Sequence, residues 1–249
     1  IIDNVNIDAI ISDILDDAGL MKTFSSKHVE DYLIDQESSF SRINSVSIPI
    51  PEGIIVADLI SGITDLDGTN EVSLESHVLF DIVEQMSASL NDSEMTLISK
   101  AMLTLSHETN FTIHEVHYFP RYNTGIYTYE TFYFGSNAIV NQVKDYSFSM
   151  YNPNDSIYTF IVEVDPNDNS KLLVSLYGLE FVDTIDVTVK VEEIPYITQF
   201  TDNPLLEQQG SLGAVVTVRR VITDLNENVV FDQDIIFEYY QPKSEILGE

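Results

Sequence analysis

The chain has no cysteine in its 249 residues. That excludes disulfides, thiol nucleophiles and cysteine-ligated zinc or iron–sulfur centres. Positive charge is nearly as scarce. Eleven Lys and Arg face 41 Asp and Glu, a formal net charge of −30. Residues 43–99 hold ten acidic residues and no Lys or Arg at all. Such a chain repels DNA, RNA and anionic lipid, which argues against a nucleic-acid partner. It attracts cations and basic partners, and the plainest role of the charge is solubility at an exposed surface. No apolar run approaches the roughly 20 residues of a membrane-spanning helix. A nucleophile elbow, a P-loop and a Rossmann glycine pattern are missing too. Many acids are present, but none forms a distinctive pair for glycoside hydrolysis.

What the chain does have is enough apolar material for a core, with hydrophobic residues at 44%. Ile7, Ile10, Ile11, Ile14, Leu15 and Ala18 follow the spacing of an amphipathic helix over 7–18, and a weaker helix is expected over 26–36. Ser47 to Ile63, with Pro49, Pro51 and Gly53, reads as extended chain and turn. Ser73 to Leu90 reads as one helix with Val78, Leu79, Ile82, Val83 and Met86 on a face. Asn91, with Glu94 three residues on, marks the start of another.

From His107 the pattern becomes strands: 111–119, 127–134, 146–150, 158–164, 172–176 and 182–191. Turn clusters at Asn152-Pro153-Asn154-Asp155 and at residues 165–169 separate them. Two Val/Ile/Phe-rich runs, 214–222 and 229–239, flank a polar turn at Asn226-Glu227-Asn228 and predict an antiparallel pair. The expected fold class is α+β, with a helical and irregular acidic half over 1–106 beside an antiparallel β-rich half.

Residues 187–249 carry an ordered set of features. A β run leads to Glu192-Glu193-Ile194-Pro195, then to Asp202 and Pro204, a Gln209-Gly210-x-x-Gly213 turn, and an end at Tyr239-Tyr240-Gln241-Pro242-Lys243. This order resembles the C-terminal part of VanW-family proteins and the related G-five wall-associated domain. Upstream, His117 to Tyr122, Tyr129 to Gly135, Tyr151 to Tyr158 and Leu172 to Gly178 resemble successive VanW segments. Phe24 to Ser26, Arg42 to Asn44 and Ile50 to Gly53 echo the start of that domain. The resemblance implies a VanW-like domain over 1–186 and a G-five-like β module over 187–249. It also implies a place at a Gram-positive-type cell surface, outside the cell, with cell-wall glycan, an envelope protein or copies of itself as partner.

One departure stands out. The family's Gly-rich, Cys-containing entry to its central helix corresponds to residues 70–78, Asn-Glu-Val-Ser-Leu-Glu-Ser-His-Val, which have neither. A non-enzymatic binding or assembly role is therefore expected. A subunit of a filament, spore coat or phage particle is the alternative, and a peptidoglycan-acting enzyme a further one. The chain starts at Ile1, and an upstream signal, anchor or domain is expected.

Candidate site residues fall into four groups. Asp65, Asp67, Asn70 and Glu71 place oxygen ligands around Gly68 like part of a calcium loop, though without EF-hand spacing, and an acidic surface turn is the plainer reading. His114 and His117 could ligate a transition metal, but their odd separation points them to opposite faces of a strand. Tyr127, Tyr129 and Tyr133 offer a sugar-stacking face or a sheet core. Arg219 and Arg220, the only adjacent basic pair, should point opposite ways from one strand. The outward arginine could meet an acidic patch on a partner, or simply balance local carboxylates. Calcium is the one cofactor suggested.

Overall fold

A computed structural model describes residues 40–67, 69–118 and 134–248. The helices expected over 7–18 and 26–36, and the aromatic run Tyr127, Tyr129 and Tyr133, lie outside these residues.

The body is built on a four-stranded antiparallel sheet of order β1 (Ser41–Pro49), β7 (Lys171–Gly178), β6 (Tyr158–Val164), β2 (Glu71–Leu74). Period-two patterning makes its core. Tyr158, Phe160 and Val162 alternate on β6, and Leu172, Val174 and Leu176 on β7, all buried. Phe160 lies opposite Leu176 and Val162 opposite Val174.

Helix α3 (Asp92–Ser106) packs on β1 and β7. Asn91 Oδ1 accepts from the Ser93 and Glu94 amides, while Glu94 Oε2 accepts from the Asn91 amide, as its sequence predicts. Met95, Ile98 and Met102 are fully buried. A small sheet of order β3 (Leu79–Asp81), β5 (Ser149–Tyr151), β4 (Thr112–Glu115) completes the body.

Two expectations are corrected in the N-terminal half. Val56–Asp67 is a helix, α1, rather than extended chain. Leu59 and Ile63, one turn apart, are both fully buried, so the apolar spacing outweighs the nearby Pro and Gly. Extended chain and turn are found only before it, in β1 and around Gly53, whose φ is +94°. Ser73–Leu90 is not one helix. It ends β2, turns through His77 at φ 56°, forms β3 and then the short helix α2 (Ile82–Met86). Asp81 Oδ1 caps α2 through the Val83 and Glu84 amides. Val78 and Leu79, expected on the buried face, are exposed, and pairing of β3 with β5 buries Phe80 instead. Strands from the first half thus enter sheets with strands of the second. The described chain is β-rich with mainly antiparallel sheets.

The tail sheet has the order β11 (Val229–Tyr240), β10 (Gly213–Thr223), β8 (Thr184–Ile194). β10 and β11 pair antiparallel through a turn closed by the Asp224 and Asn228 backbones, as the sequence predicts. Residue 187 lies within β8. Beyond this sheet, β9 (Thr198–Thr201) pairs parallel with β12 (Glu245–Gly248). Gly213 is required where it stands, because an added Cβ would come 2.4 Å from the Tyr240 carbonyl oxygen. No described helix is long and apolar enough to cross a membrane.

Candidate functional site

Three connections converge beside the first strand of the tail sheet. Residues 152–157 join β5 to β6, residues 179–183 join β7 to β8, and Asn110 precedes β4. Between them lies an open groove of about 290 Å³, lined by Asn110, Asn154, Asp155, Tyr158, Glu180, Phe181 and Asp183, among others.

Its shape comes from Asn152. This side chain is fully buried and donates from Nδ2 to the carbonyls of Leu74, Glu75 and Ser156. Its Oδ1 accepts from the amide and the Nδ2 of Asn154. Burying one amide side chain is favourable here because donor and acceptor are both satisfied. Asn154 is then held against Asn110 by a reciprocal amide pair at 2.7 and 2.9 Å. Asp155 meets His77 Nε2 at 2.7 Å on the outer side.

The floor is aromatic. Phe181 stacks on Tyr158 with centroids 5.3 Å apart and planes within 6°, and Phe111 meets both rings edge-on. Gly178 lets Tyr158 lie flat, since an added Cβ would sit 2.2 Å from its ring. Burial pushes the Tyr158 phenol up to about 12. Tyr158 keeps only 2% of its surface. Its hydroxyl has no hydrogen-bond partner among the described residues. It is also not one of the sealed, unpaired polar atoms, which are Ser99 Oγ, His107 Nε2, Ser211 Oγ and Arg220 Nε. The hydroxyl is therefore not sealed from solvent, on a residue that lines the groove.

Behind the groove a buried polar joint ties the tail to the body. Arg220 is 3% exposed and donates to the carbonyls of Ser106, Thr109 and Phe111. Desolvation lowers its guanidinium to about 10. His107 lies nearby, and burial pushes its imidazole down to about 4, with the Arg220 charge adding to the effect. Glu238 is buried as well and accepts from the Gly135 and Asn137 amides and from the Tyr240 hydroxyl. Burial raises its carboxyl pKa above the usual range despite those bonds.

The residues expected to bind from sequence are placed differently. Arg219 and Arg220 do point opposite ways, but neither offers a free guanidinium. Arg219 makes a two-pronged contact with Asp232 on β11, both bonds at 2.8 Å. Arg220 is sealed in the joint. One arginine, half exposed, balances a carboxylate within the sheet, and the other is a core donor.

Among the described residues, His114 and His117 included, no group of three or more His, Asp or Glu is suited to a metal. His117 instead pairs with Glu115 at 2.8 Å and stacks on Tyr146 at 4.1 Å. Asp65 and Asp67 fall in the last turn of α1, where a loop is expected. Asn70 is used structurally, donating to the Val162 carbonyl, and Glu71 begins β2. The backbone at Asp65 and Asp67 is thus helical, and Asn70 and Glu71 follow beyond the helix end.

The groove residues went unnoticed in the sequence. The cluster at 152–155 reads there only as a turn, and nothing local links it to Asn110 or Phe181. No family model, no curated protein and no solved structure matches the chain.

Proposed function

We propose that this chain is a non-enzymatic surface protein of a Gram-positive-type cell envelope. It is read as a degenerate VanW-like α+β domain with a helical N-terminal portion, carrying a G-five-like tail that binds the cell wall. One observation carries this reading: the tail presents large apolar side chains to solvent while it is anchored to the body by buried contacts. Ile197, Phe200, Leu205 and Leu206 are 68%, 65%, 90% and 56% exposed. Phe200 pairs with Leu247 across the β9–β12 ribbon, and Leu247 is exposed as well. Exposed apolar groups gathered in one region mark a contact surface. The resemblance of residues 187–249 to a wall-associated module suggests wall polymer as the partner.

A second reading is favoured by β8. Among the described residues this strand pairs with β10 alone. An eleven-residue strand with one unpaired edge can add a strand from another copy, as a subunit of an assembly would.

The test is co-sedimentation with purified wall sacculi, comparing the native chain with a Phe200→Ser, Leu206→Ser variant. Sedimentation of the native chain and its loss in the variant support wall binding. Equal sedimentation of both, or of neither, overturns it. Concentration-dependent assembly without wall binding would establish the second reading.

A further inference from the structure

The groove at the root of the tail has a chemistry of its own. Asp155, Glu180 and Asp183 place three carboxylates around it, and the floor is the Phe181–Tyr158 stack. No described residue makes a hydrogen bond or ion pair with Glu180 or Asp183. Asp155 contacts only His77, through Oδ1. Tyr158, a residue 2% exposed, lines the same groove, and its hydroxyl has no hydrogen-bond partner among the described residues. Such a hydroxyl can bond to whatever enters the groove.

These features select a ligand by charge and shape. Carboxylates at the rim accept from N–H donors and repel anions. A ring face favours a cation over it or an apolar stem along it. The hydroxyl has lone pairs to accept one further N–H. The amide pair of Asn110 and Asn154 makes one wall rigid, so the groove exists before any ligand arrives.

We propose that this groove binds an organic cation: an ammonium or guanidinium group on a short apolar stem, as in a lysine or arginine side chain or a free alkyl amine. The cationic end sits among Asp155, Glu180 and Asp183 and donates to the Tyr158 hydroxyl. The stem lies along Phe181. This site is separate from the exposed tail surface and stands whether or not the tail binds wall.

The test is an NMR titration of the full chain, following the amide signals of residues 179–183, with Nα-acetyl-lysine amide as probe. Its neutral isostere, the Nα-acetyl amide of 2-aminoheptanoic acid, is the first control. The lysine probe is expected to shift these signals and the isostere to leave them still. A Glu180→Gln, Asp183→Asn variant should weaken the lysine probe by about tenfold or more. Tyr158→Phe keeps the ring and should weaken it less. A remote Asp202→Asn, Glu227→Gln variant removes the same charge elsewhere and should bind like the native chain. 1,5-Diaminopentane and a lysine-containing peptide distinguish a free amine from a protein side chain, and tighter binding of either supports the proposal. The proposal is overturned if the isostere shifts the same signals equally, if the remote variant weakens binding as much as the groove variant, or if the lysine probe leaves the groove unmoved. It is also overturned if calcium chloride alone shifts these signals and the lysine probe does not.

Discussion

Arg220 donates from Nη1 to the carbonyl of Thr109 at 2.6 Å, across 111 positions of chain. Two more bonds, to Ser106 and Phe111, leave the guanidinium facing three backbone carbonyls at the end of α3. A cation at a helix C-terminus also meets the negative end of the helix dipole. The contact joins the tail sheet to the body without any carboxylate.

Arg220→Met should therefore destabilise the protein by about 3 kcal/mol, because it leaves buried carbonyls without donors. Arg219→Met should leave the unfolding midpoint nearly unchanged, because its ion pair with Asp232 is solvent-exposed. Urea unfolding of the two variants checks the contrast. Equal losses would show that Arg220 is not the anchor.

Acid sensitivity should follow His107. Its folded-state pKa, about 4, lies below the ordinary 6.5. Between those values the unfolded chain binds the extra proton, so stability rises with pH. The contribution is complete above pH 6.5 and is lost as pH falls towards 4, roughly 3 kcal/mol in all. Glu238 acts oppositely, since its raised pKa makes protonation favour the folded state as pH falls. The observable is thus the difference between the native chain and His107→Gln. Unfolding midpoints measured from pH 7 to 4 should fall less in the variant, and parallel curves would refute the assignment.

Gly178→Ala should cost about 1–3 kcal/mol through overpacking against Tyr158. The added methyl would have to displace the ring, which stacks on Phe181 and is pinned by Phe111. Tyr158→Leu in the same chain should relieve part of that cost, so the pair should be less than additive in a double-mutant cycle. Strict additivity would place the strain elsewhere.

Asn152→Ala should cost about 3 kcal/mol and loosen the groove wall, because it removes the donor to three carbonyls and the acceptor for Asn154. Hydrogen exchange should rise at Asn154. An unchanged rate there would mean the turn holds its shape without Asn152.

Strands β6, β7, β8, β10 and β11 were legible because each carries its own alternating pattern and is closed by its own turn, whereas the parallel pairing of β9 with β12 was not. Phe160 and Val162 point inward on β6 for the reason visible in the sequence, and the β10–β11 turn lies at Asn226 to Asn228 as its residues require. The capping box at Asn91 was legible because its donors and acceptors are three residues apart. The segment 73–90 was not. Its apolar spacing suits a helix, yet pairing of β3 with β5, about seventy residues away, reassigns Val78 and Leu79 to the surface. Periodicity reports local geometry and carries nothing about a distant strand.

The site shows the same division. Sequence alone determined the acidity, the absence of thiol chemistry, the turn at Asn152 and the opposite directions of Arg219 and Arg220. These depend on composition, on bonds within a few residues, or on the two-residue repeat of a strand. Only the tertiary structure decided that Arg219 finds Asp232, that Arg220 is sealed against α3, and that Asn110, Tyr158, Glu180 and Phe181 share one groove. Those outcomes depend on which segments pack together, and that is settled by burial of the common core rather than by any residue's neighbours in the chain.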